Sequence, residues 1–312
     1  MRNVCRVITL WVVACGLIAC GPAQAGAVEV GQTAPALVIK LLDGQPFDLP
    51  GGPDAALLLH GFTGTPFEVR AVADRLHAAG MRCLGPMMAG HGADARLLAR
   101  TPRTEWLAGA RDALRELKGA RRTFVVGCSM GALVACALAH EMPGEVDGLA
   151  LLAPAMRLTL AGQLGAALGR WRFGARLLVH KGDGSDVRDE QMRRRNPCLD
   201  SIPLSGVAEL VTLAGEVDRM LPGVAAPALV VVGGQDHTVT LGGARRMARR
   251  VGSGPARLVV LPESYHLVGI DVERDRCAGE VLRFFEGIPV PGRARPGTTS
   301  SLLEGGETWP RM

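Results

Sequence analysis

A chain of 312 residues, of which 48% are apolar, is long enough for one large domain or two small ones and has ample material for a core. The net charge of +5 is mild and the basic residues are spread along the chain, which argues against nucleic-acid binding. Only 4% of the residues are aromatic, with a single tyrosine, so a base-stacking surface is not expected.

The N-terminal residues have the features of a bacterial export signal. Two arginines precede an apolar run over residues 7–19, which is too short to span a bilayer. The run ends in Leu-Ile-Ala followed by Cys20, which resembles a lipobox and predicts removal of residues 1–19 and lipidation of Cys20. Ordinary cleavage at the Ala-x-Ala motif of residues 23–25 is the alternative. We therefore expect an exported protein, either anchored through this lipid at the outer membrane or in the periplasm, or else free in the periplasm or secreted.

Composition and hydrophobic pattern divide the remaining chain into a tether over residues 20–35, one domain over residues 36–290, and a tail over residues 291–312. The tail is rich in Pro, Gly, Ser and Thr and is predicted to be disordered. Predicted strands cover residues 38–42, 46–49, 55–59, 81–84, 123–126, 148–152, 228–232 and 257–261. Predicted helices cover residues 66–79, 101–117, 132–142, 203–221, 241–251 and 272–286. This alternation predicts an α/β fold with a mostly parallel sheet and helices on both faces.

The first helix of the domain has a recognisable start signal. Thr65 is placed to be the N-cap, Pro66 occupies the first helical position, and Glu68 follows three residues after the cap. We expect the Glu68 side chain to close a capping box with Thr65.

Residues 155–205 interrupt the alternation. The segment mixes many arginines with leucines, Trp171 and Phe173, and Gly-Asp-Gly at residues 182–184 breaks it internally. We expect a small helical insertion that lies as a cap over the C-terminal ends of the strands.

The motif with the clearest chemistry is Gly-x-Ser-x-Gly, which centres on Ser129. A strand-like run precedes it and an Ala-rich run over residues 132–142 follows it. A strand, a tight turn and a helix are the context of a nucleophile elbow, in which Gly127 and Gly131 leave room for a strained turn. A chance match in a glycine-rich chain is the alternative. The context favours Ser129 as a nucleophile beside a helix N-terminus.

A serine nucleophile needs a base, and the base needs a carboxylate to orient it. Asp236 follows the strand at residues 228–232 and His266 follows the strand at residues 257–261, so both lie at the same sheet edge as Ser129. Asp218 and Asp271 fall in or at predicted helices and fit the acid position less well. The sequence predicts Ser129, His266 and Asp236 as nucleophile, base and acid.

The developing oxyanion needs two backbone N–H donors. Met130, directly after Ser129, supplies one, and Phe62, in the loop after the strand at residues 55–59, is placed to supply the other. His60 is expected to brace that loop. For His91, in Gly-His-Gly, a structural role and substrate contact both remain open, with the structural role favoured.

The cysteines and histidines show no metal-ligand spacing, so no metal and no other cofactor is expected. Buried thiols are expected for Cys83, Cys128 and Cys136. Cys198 and Cys277 could pair in an oxidising compartment, which the sequence leaves open.

Together these motifs resemble the α/β-hydrolase family, and within it the bacterial carboxylesterases and monoacylglycerol lipases. The similar segments are His60-Gly-Phe-Thr-Gly, Gly-His91-Gly, Gly-Cys-Ser129-Met-Gly, Asp236-x-x-Val, and Ser-Tyr-His266. The resemblance implies hydrolysis through an acyl-enzyme, an oxyanion hole formed by the Phe62 and Met130 amides, and a small cap over an acyl pocket. The chain departs from the family in the elbow residue Cys128, in the Arg-rich cap and in the lipoprotein leader.

The leading hypothesis is a serine hydrolase that cleaves short- to medium-chain acyl esters or monoacylglycerol, with Phe62, His91 and Trp171 contacting the substrate. Acyl transfer or haloperoxidase-like chemistry on the same residues is one alternative. A non-catalytic lipoprotein that keeps the fold is another. The expected partners are a small acyl ester and, through the lipid anchor, a membrane. Nucleic acid is not among them.

Overall fold

Seven strands in the described part of the chain form one sheet. The computed structural model of the chain describes residues 43–290 apart from 172, 173 and 183. In spatial order, the strands of this sheet are β1 (Phe47–Leu49), β3 (Arg82–Gly85), β2 (Asp54–Leu59), β4 (Arg122–Cys128), β5 (Gly148–Leu152), β8 (Ala228–Gly233) and β9 (Arg257–Leu261). All neighbours are parallel except β1, which pairs antiparallel with β3 at the edge. The predicted α/β class with a mostly parallel sheet is confirmed.

The helices lie on both faces of the sheet, as the alternation predicted. Their bounds are α1 (Phe67–Ala78), α2 (Ala95–Leu98), α3 (Arg103–Arg115), α4 (Met130–Glu141), α5 (Leu160–Gly169), α6 (Glu190–Arg195), α7 (Leu204–Met220), α8 (Leu241–Arg250) and α9 (Arg274–Glu286). Helices α1 and α9 pack on one face, and α3, α4, α7 and α8 pack on the other. None of the helices in the described ranges is both long and apolar enough to cross a bilayer.

Beyond their first one or two residues, the central strands are almost entirely apolar because both of their faces are covered. Along β4, Phe124 and Val126 point into the layer of α1 and α9, whereas Val125 points into the layer of α4. Every residue of β2, β5 and β8 is buried. Successive side chains of a strand point to opposite faces of the sheet, so a single apolar strand contributes residues to two separate cores, one on each face.

The segment between β5 and α7, which we call the cap segment (residues 155–203), is not wholly helical, so that prediction is wrong in part. Besides α5 and α6 it contains β6 (Leu178–His180) and β7 (Ser201–Pro203), which form a two-stranded antiparallel sheet. The two strands are three residues each and lie more than twenty residues apart, so local pattern could not reveal their pairing. Hydrogen bonds join this segment to the loops after β2, β8 and β9.

Other differences from the expected elements are local. The helix α1 begins at Phe67, and the Glu68 carboxylate accepts a hydrogen bond from Gly61 N–H instead of closing a capping box. Thr65 Oγ1 is buried without a partner among the described residues. The short helix α2 was not expected, and α9 begins two residues later than predicted. The possible strand at residues 38–42 lies outside the described residues.

The described cysteines are all free thiols, so Cys198 and Cys277 do not pair. Cys277 is fully buried in α9, whereas Cys198 Sγ lies 3.1 Å from Ser185 Oγ. The predicted signal, tether, lipidation site Cys20 and tail lie outside the described residues.

Candidate active site

The C-terminal ends of three parallel strands position the predicted catalytic side chains. Ser129 follows β4 directly, Asp236 lies three residues after β8, and His266 lies five residues after β9. Strands β8 and β9 are neighbours, and β5 alone separates β8 from β4. The carboxyl ends of parallel strands meet at one edge of a sheet, so the topology brings together residues that are 137 positions apart in the chain.

The turn at Ser129 is strained, and two glycines make room for it. Ser129 has φ 53° and ψ −107°, a backbone conformation that residues other than glycine rarely adopt. A Cβ on Gly127 would lie 2.3 Å from Gly131 O, and a Cβ on Gly131 would lie 2.2 Å from Leu59 O. Both contacts are with backbone that cannot move aside, so both positions require glycine.

Backbone strain within the described residues is concentrated at this edge. The non-glycine residues with positive φ there are Thr63, Ser129 and Ala153, which follow β2, β4 and β5. The Ser129 turn is held by hydrogen bonds from Ser129 N to Leu152 O and from Ala155 N to Ser129 O. Strain that the surroundings hold in place is typical of functional sites.

Ser129, His266 and Asp236 form one hydrogen-bonded chain. His266 Nδ1 lies 2.8 Å from Asp236 Oδ2, and His266 Nε2 lies 3.0 Å from Ser129 Oγ. Asp236 can only accept, so Nδ1 carries the proton and Nε2 is left to accept the serine hydroxyl. The second Asp236 oxygen accepts the N–H groups of Thr238 and Val239 at 2.8 Å each, which fixes the carboxylate.

The negative charge of Asp236 and the positive charge of a protonated His266 stabilise each other. Burial opposes ionisation of Asp236, but the His266 ring and the two N–H donors outweigh burial and lower the pKa of the Asp236 carboxyl group. Burial likewise opposes a charged His266, but Asp236, with smaller contributions from Asp186 and Glu68, raises the pKa of the imidazole above its usual 6.5. The His266 and Asp236 side chains are only 7% and 6% exposed, so solvent screens these interactions weakly.

The loop after β2 faces the same edge. His60 is fully buried and keeps both ring nitrogens occupied, because Nδ1 lies 2.9 Å from Gly61 O and Nε2 accepts Met88 N–H at 3.0 Å. Burial lowers the pKa of His60 to about 3, so the ring is neutral and braces the loop. Met130 is the first residue of α4, where an N–H lacks a partner inside the helix.

Phe62 and His91 lie together beside the buried Trp106. The Phe62 ring is 6.0 Å from His91 and 5.9 Å from the buried Trp106, centroid to centroid. His91 Nδ1 lies 2.9 Å from Ala89 O, and His91 Nε2 is buried with no partner among the described residues. Trp171 is 72% exposed on the cap segment.

Three further carboxylates border the site, and the sequence did not single them out for these roles. Glu68 holds Gly61 N–H, next to Phe62, and Asp186 of the cap segment holds His237 N–H and the Thr238 hydroxyl. Asp271, weighed above as a possible acid, is fully buried and accepts four backbone N–H groups, including that of Tyr265. Glu68 had a signal in the sequence, an acidic residue three after a Thr, but that pattern is typical of helix capping.

No group of three or more His, Cys, Asp or Glu side chains that could hold a metal ion occurs in the part of the chain that the structure describes.

A serine on a strained strand–helix turn, with His and Asp on later strand ends of a mostly parallel sheet, is the arrangement typical of an α/β-hydrolase. The family model described as "Serine aminopeptidase, S33" matches residues 53–273, and the chain belongs to that family. The match covers β2 to the end of β9 and every residue of the site described above.

Two of the relatives are a bacterial lipase and a bacterial esterase. The chain is 29% identical over 247 residues to the thermostable monoacylglycerol lipase of Bacillus sp. (strain H-257), which covers 77% of this chain and 94% of the relative. It is 26% identical over 255 residues to a carboxylesterase of Bacillus subtilis (strain 168), with 80% and 98% covered. A solved structure from the metagenome-derived lipolytic enzymes LipS and LipT has a TM-score of 0.72 and 25% identity, covering 78% of this chain and 98% of that one. The predicted resemblance to bacterial esterases and lipases is confirmed.

Proposed function

We propose that the protein is a serine esterase that hydrolyses short- to medium-chain acyl esters or monoacylglycerol through a Ser129–His266–Asp236 triad. The observation that carries the proposal is the unbroken chain of hydrogen bonds from Ser129 Oγ through the His266 ring to Asp236. The similarity to a monoacylglycerol lipase and a carboxylesterase supports the substrate class.

In this mechanism, His266 Nε2 takes the proton of the Ser129 hydroxyl as Oγ attacks the ester carbonyl carbon. Asp236 stabilises the imidazolium that forms. The Phe62 and Met130 N–H groups donate to the oxyanion, and the N-terminus of α4 favours the same negative charge. His266 then protonates the leaving alcohol, and water attacks the acyl-enzyme by the same route to release the acid.

Ser129→Ala tests the proposal against p-nitrophenyl esters from acetate to palmitate. Loss of the nucleophile should lower turnover by about 10⁴-fold or more while the circular dichroism spectrum and melting temperature persist. A fluorophosphonate probe should label the wild type and fail to label the variant. Equal turnover by the two proteins would refute the assignment.

There are two alternatives to ester hydrolysis. One is a different reaction on the same three side chains, and the other is a protein without catalytic activity. Adding an alcohol acceptor or peroxide to the ester assay, followed by product analysis, separates hydrolysis from acyl transfer or haloperoxidase-like chemistry. A wild-type protein that neither turns over esters nor reacts with the fluorophosphonate would favour a non-catalytic lipoprotein.

The location of the enzyme is a separate proposal, which rests on the lipobox-like sequence before Cys20. Metabolic labelling with palmitate should mark the wild type and not Cys20→Ser. Labelling of neither protein, together with a mature N-terminus at residue 26, would favour the ordinary signal cleavage instead.

A further inference from the structure

Asp186, which belongs to the cap segment, holds the turn that directly follows Asp236. Asp186 Oδ2 accepts the His237 N–H and the Thr238 hydroxyl at 3.0 Å each, and Asp186 Oδ1 lies 2.8 Å from His237 Nδ1. The same turn donates its Thr238 and Val239 N–H groups to Asp236 Oδ1. Two carboxylates therefore share this turn, and one of them is the proposed catalytic acid.

The second carboxylate comes from a distant part of the chain. Asp186 lies 51 residues before His237, within residues 185–189 of the cap segment, which we call the strap. The Asp186 side chain is 18% exposed, so solvent competes only weakly for its oxygens. Hydrogen bonds to a carboxylate are about twice as strong as those between neutral groups, so the turn is firmly held.

The strap also holds the residues on either side of His266. The Asp186 carbonyl accepts the Leu267 N–H at 3.2 Å. The buried Asp271 carboxylate accepts the Tyr265 N–H at 2.6 Å and, through its other oxygen, two N–H groups of the strap at 2.9 Å each. The strap is thus bonded to the loop of the proposed base as well as to the loop of the proposed acid.

A buried side chain anchors the strap in the domain. Val187 is 1% exposed and belongs to the apolar core that also contains Leu267 and Val268. Next along the strap, Arg188 pairs with Glu263 in the loop after β9. With these contacts on both sides of it, Asp186 presents its carboxylate to the turn after Asp236 from a defined position.

The reaction depends on where that turn lies. Asp236 Oδ2 has to stay within hydrogen-bond distance of His266 Nδ1, and the two atoms are 2.8 Å apart. A misplacement of about 1 Å in a catalytic constellation can lower a rate by about 10²-fold. Outer hydrogen bonds that fix a catalytic side chain are therefore part of what makes the constellation work.

We propose that Asp186 is a positioning residue, which fixes the turn over residues 237–239 and, through it, the Asp236 carboxylate relative to His266. This inference rests on the proposed function. The cap segment thereby contributes to the assembly of the triad, although none of the three catalytic side chains belongs to it.

Two substitutions at Asp186 separate positioning from a general loss of structure. Asp186→Ala removes both oxygens and should lower kcat on p-nitrophenyl acetate by about 10²-fold, with little change in KM. Asp186→Asn keeps one oxygen for the His237 N–H and the Thr238 hydroxyl, so its kcat should stay within about fivefold of the wild type. Asp200→Ala, at an exposed aspartate of the cap segment, is the matched control and should keep the wild-type kcat.

The loss in Asp186→Ala should not depend on the acyl chain. The ratio of wild-type to variant kcat should be the same for the p-nitrophenyl esters of acetate, butyrate and octanoate, because the defect lies in the triad. A defect confined to the longer esters, or one in KM alone, would mean that Asp186 shapes the acyl site and would overturn the proposal.

A double-mutant cycle with the proposed acid gives a readout that a purely structural role does not move. If Asp186 acts by placing Asp236, its removal should matter little once the Asp236 carboxylate is gone. The kcat of Asp186→Ala/Asp236→Asn should therefore lie within about threefold of that of Asp236→Asn alone. Two effects that multiply would show independent roles and would contradict the proposal.

Thr238→Val keeps the proposal testable if the melting curve shows that Asp186→Ala does not fold. This variant removes only the hydroxyl that Asp186 accepts, so kcat should fall about fivefold with little change in KM. The same substitution should have no effect in the Asp236→Asn background. Either an unchanged kcat in the wild-type background or an equal loss in both backgrounds would overturn the proposal.

Failure of this inference is distinguishable from failure of the proposed function. If Ser129→Ala is inactive and Asp186→Ala keeps the wild-type kcat, only the role of Asp186 is wrong. If Ser129→Ala turns over esters as the wild type does, the triad itself is wrong.

Discussion

The two ends of the central sheet each bury an aspartate, and the two aspartates have different partners. At the N-terminal end, Asp54 of β2 is 6% exposed and both of its oxygens accept guanidinium groups, from Arg121 and from buried Arg122. At the C-terminal end, the Asp236 side chain is 6% exposed and accepts the His266 ring and two backbone N–H groups.

The partner decides what each cluster can do. An arginine stays charged at every accessible pH, so the Asp54 cluster can only hold the chain together. Arg122 also donates to Ile288 O after α9, which ties the end of the domain to β2. An imidazole gains and loses a proton near neutrality, so the His266 ring of the Asp236 cluster can exchange a proton with a neighbouring group such as the Ser129 hydroxyl. A buried acid alone does not mark a functional site.

The largest expected effect is on the rate. Asp236→Asn should lower kcat on p-nitrophenyl esters by about 10⁴-fold, because the amide disfavours the His266 tautomer that accepts from Ser129. The free energy of unfolding should change by only about 1 kcal/mol, since the Asn oxygen can still accept the Thr238 and Val239 N–H groups. Steady-state kinetics and urea denaturation measure the two quantities. A wild-type kcat in Asp236→Asn would contradict the contrast drawn between the Asp236 and Asp54 clusters.

The residual activity of the same variant reports the charge on His266. The Asp236 carboxylate raises the pKa of the imidazole, so its removal should lower that pKa. The base then remains unprotonated to lower pH, and the acid limb of kcat/KM should shift in the acid direction. A limb at the same or higher pH would show that Asp236 does not control the base.

The matched change at the other end should affect stability and not rate. Asp54→Asn leaves buried Arg122 without its counter-charge, which should destabilise the fold by about 2–3 kcal/mol at pH 7 and leave kcat unchanged. Burial opposes ionisation of Asp54, but the two arginines lower its pKa from 3.8 to about 2. Its contribution is therefore present above pH 3.8 and is lost as the pH falls toward 2.

Denaturation of the wild type and Asp54→Asn at several pH values measures this window. The difference between their free energies of unfolding should shrink as the pH is lowered from 5 to 3. A constant difference over that range would mean that the ionised carboxylate is not what stabilises this end of the sheet.

The smallest expected effect is at an exposed pair. Arg70 and Asp74 on α1 are joined at 2.7 Å, but their side chains are 44% and 55% exposed. Asp74→Asn should change the free energy of unfolding by about 0.5 kcal/mol or less, because water screens the pair. A loss as large as that of Asp54→Asn would show that burial does not set the strength of these pairs.

Much of the fold could be predicted because its signals are local. The strands β2, β4, β5 and β8 contain continuous apolar runs. The two glycines that flank Ser129 indicate a tight turn with no room for a side chain at those positions. Asp236 and His266 could then be proposed because each follows a late strand, because parallel strands end at one edge, and because the order of nucleophile, acid and base along the chain is that of the nucleophile-elbow motif. The fold and the family are confirmed, and the roles of the three side chains stay a prediction.

Other features depend on contacts between distant segments. The pairing of β6 with β7 joins two three-residue strands whose sequences carry little signal. Which face of α5 packs against the protein could not be predicted, because its leucines would suit a buried face equally well. Glu68 has the spacing of a helix cap, and only the approach of Gly61 gives it another partner.

The amino-acid sequence by itself determined which strands are buried and where the chain turns sharply, and it singled out the residues predicted to act as nucleophile, base and acid, because these depend on side-chain type and short spacing. Only the tertiary structure decided that Glu68 faces the loop after β2, that Asp271 binds backbone rather than His266, and that the cap segment presents leucine to solvent. Those outcomes depend on which surfaces meet when the sheet and its helices assemble, and no local pattern encodes that choice.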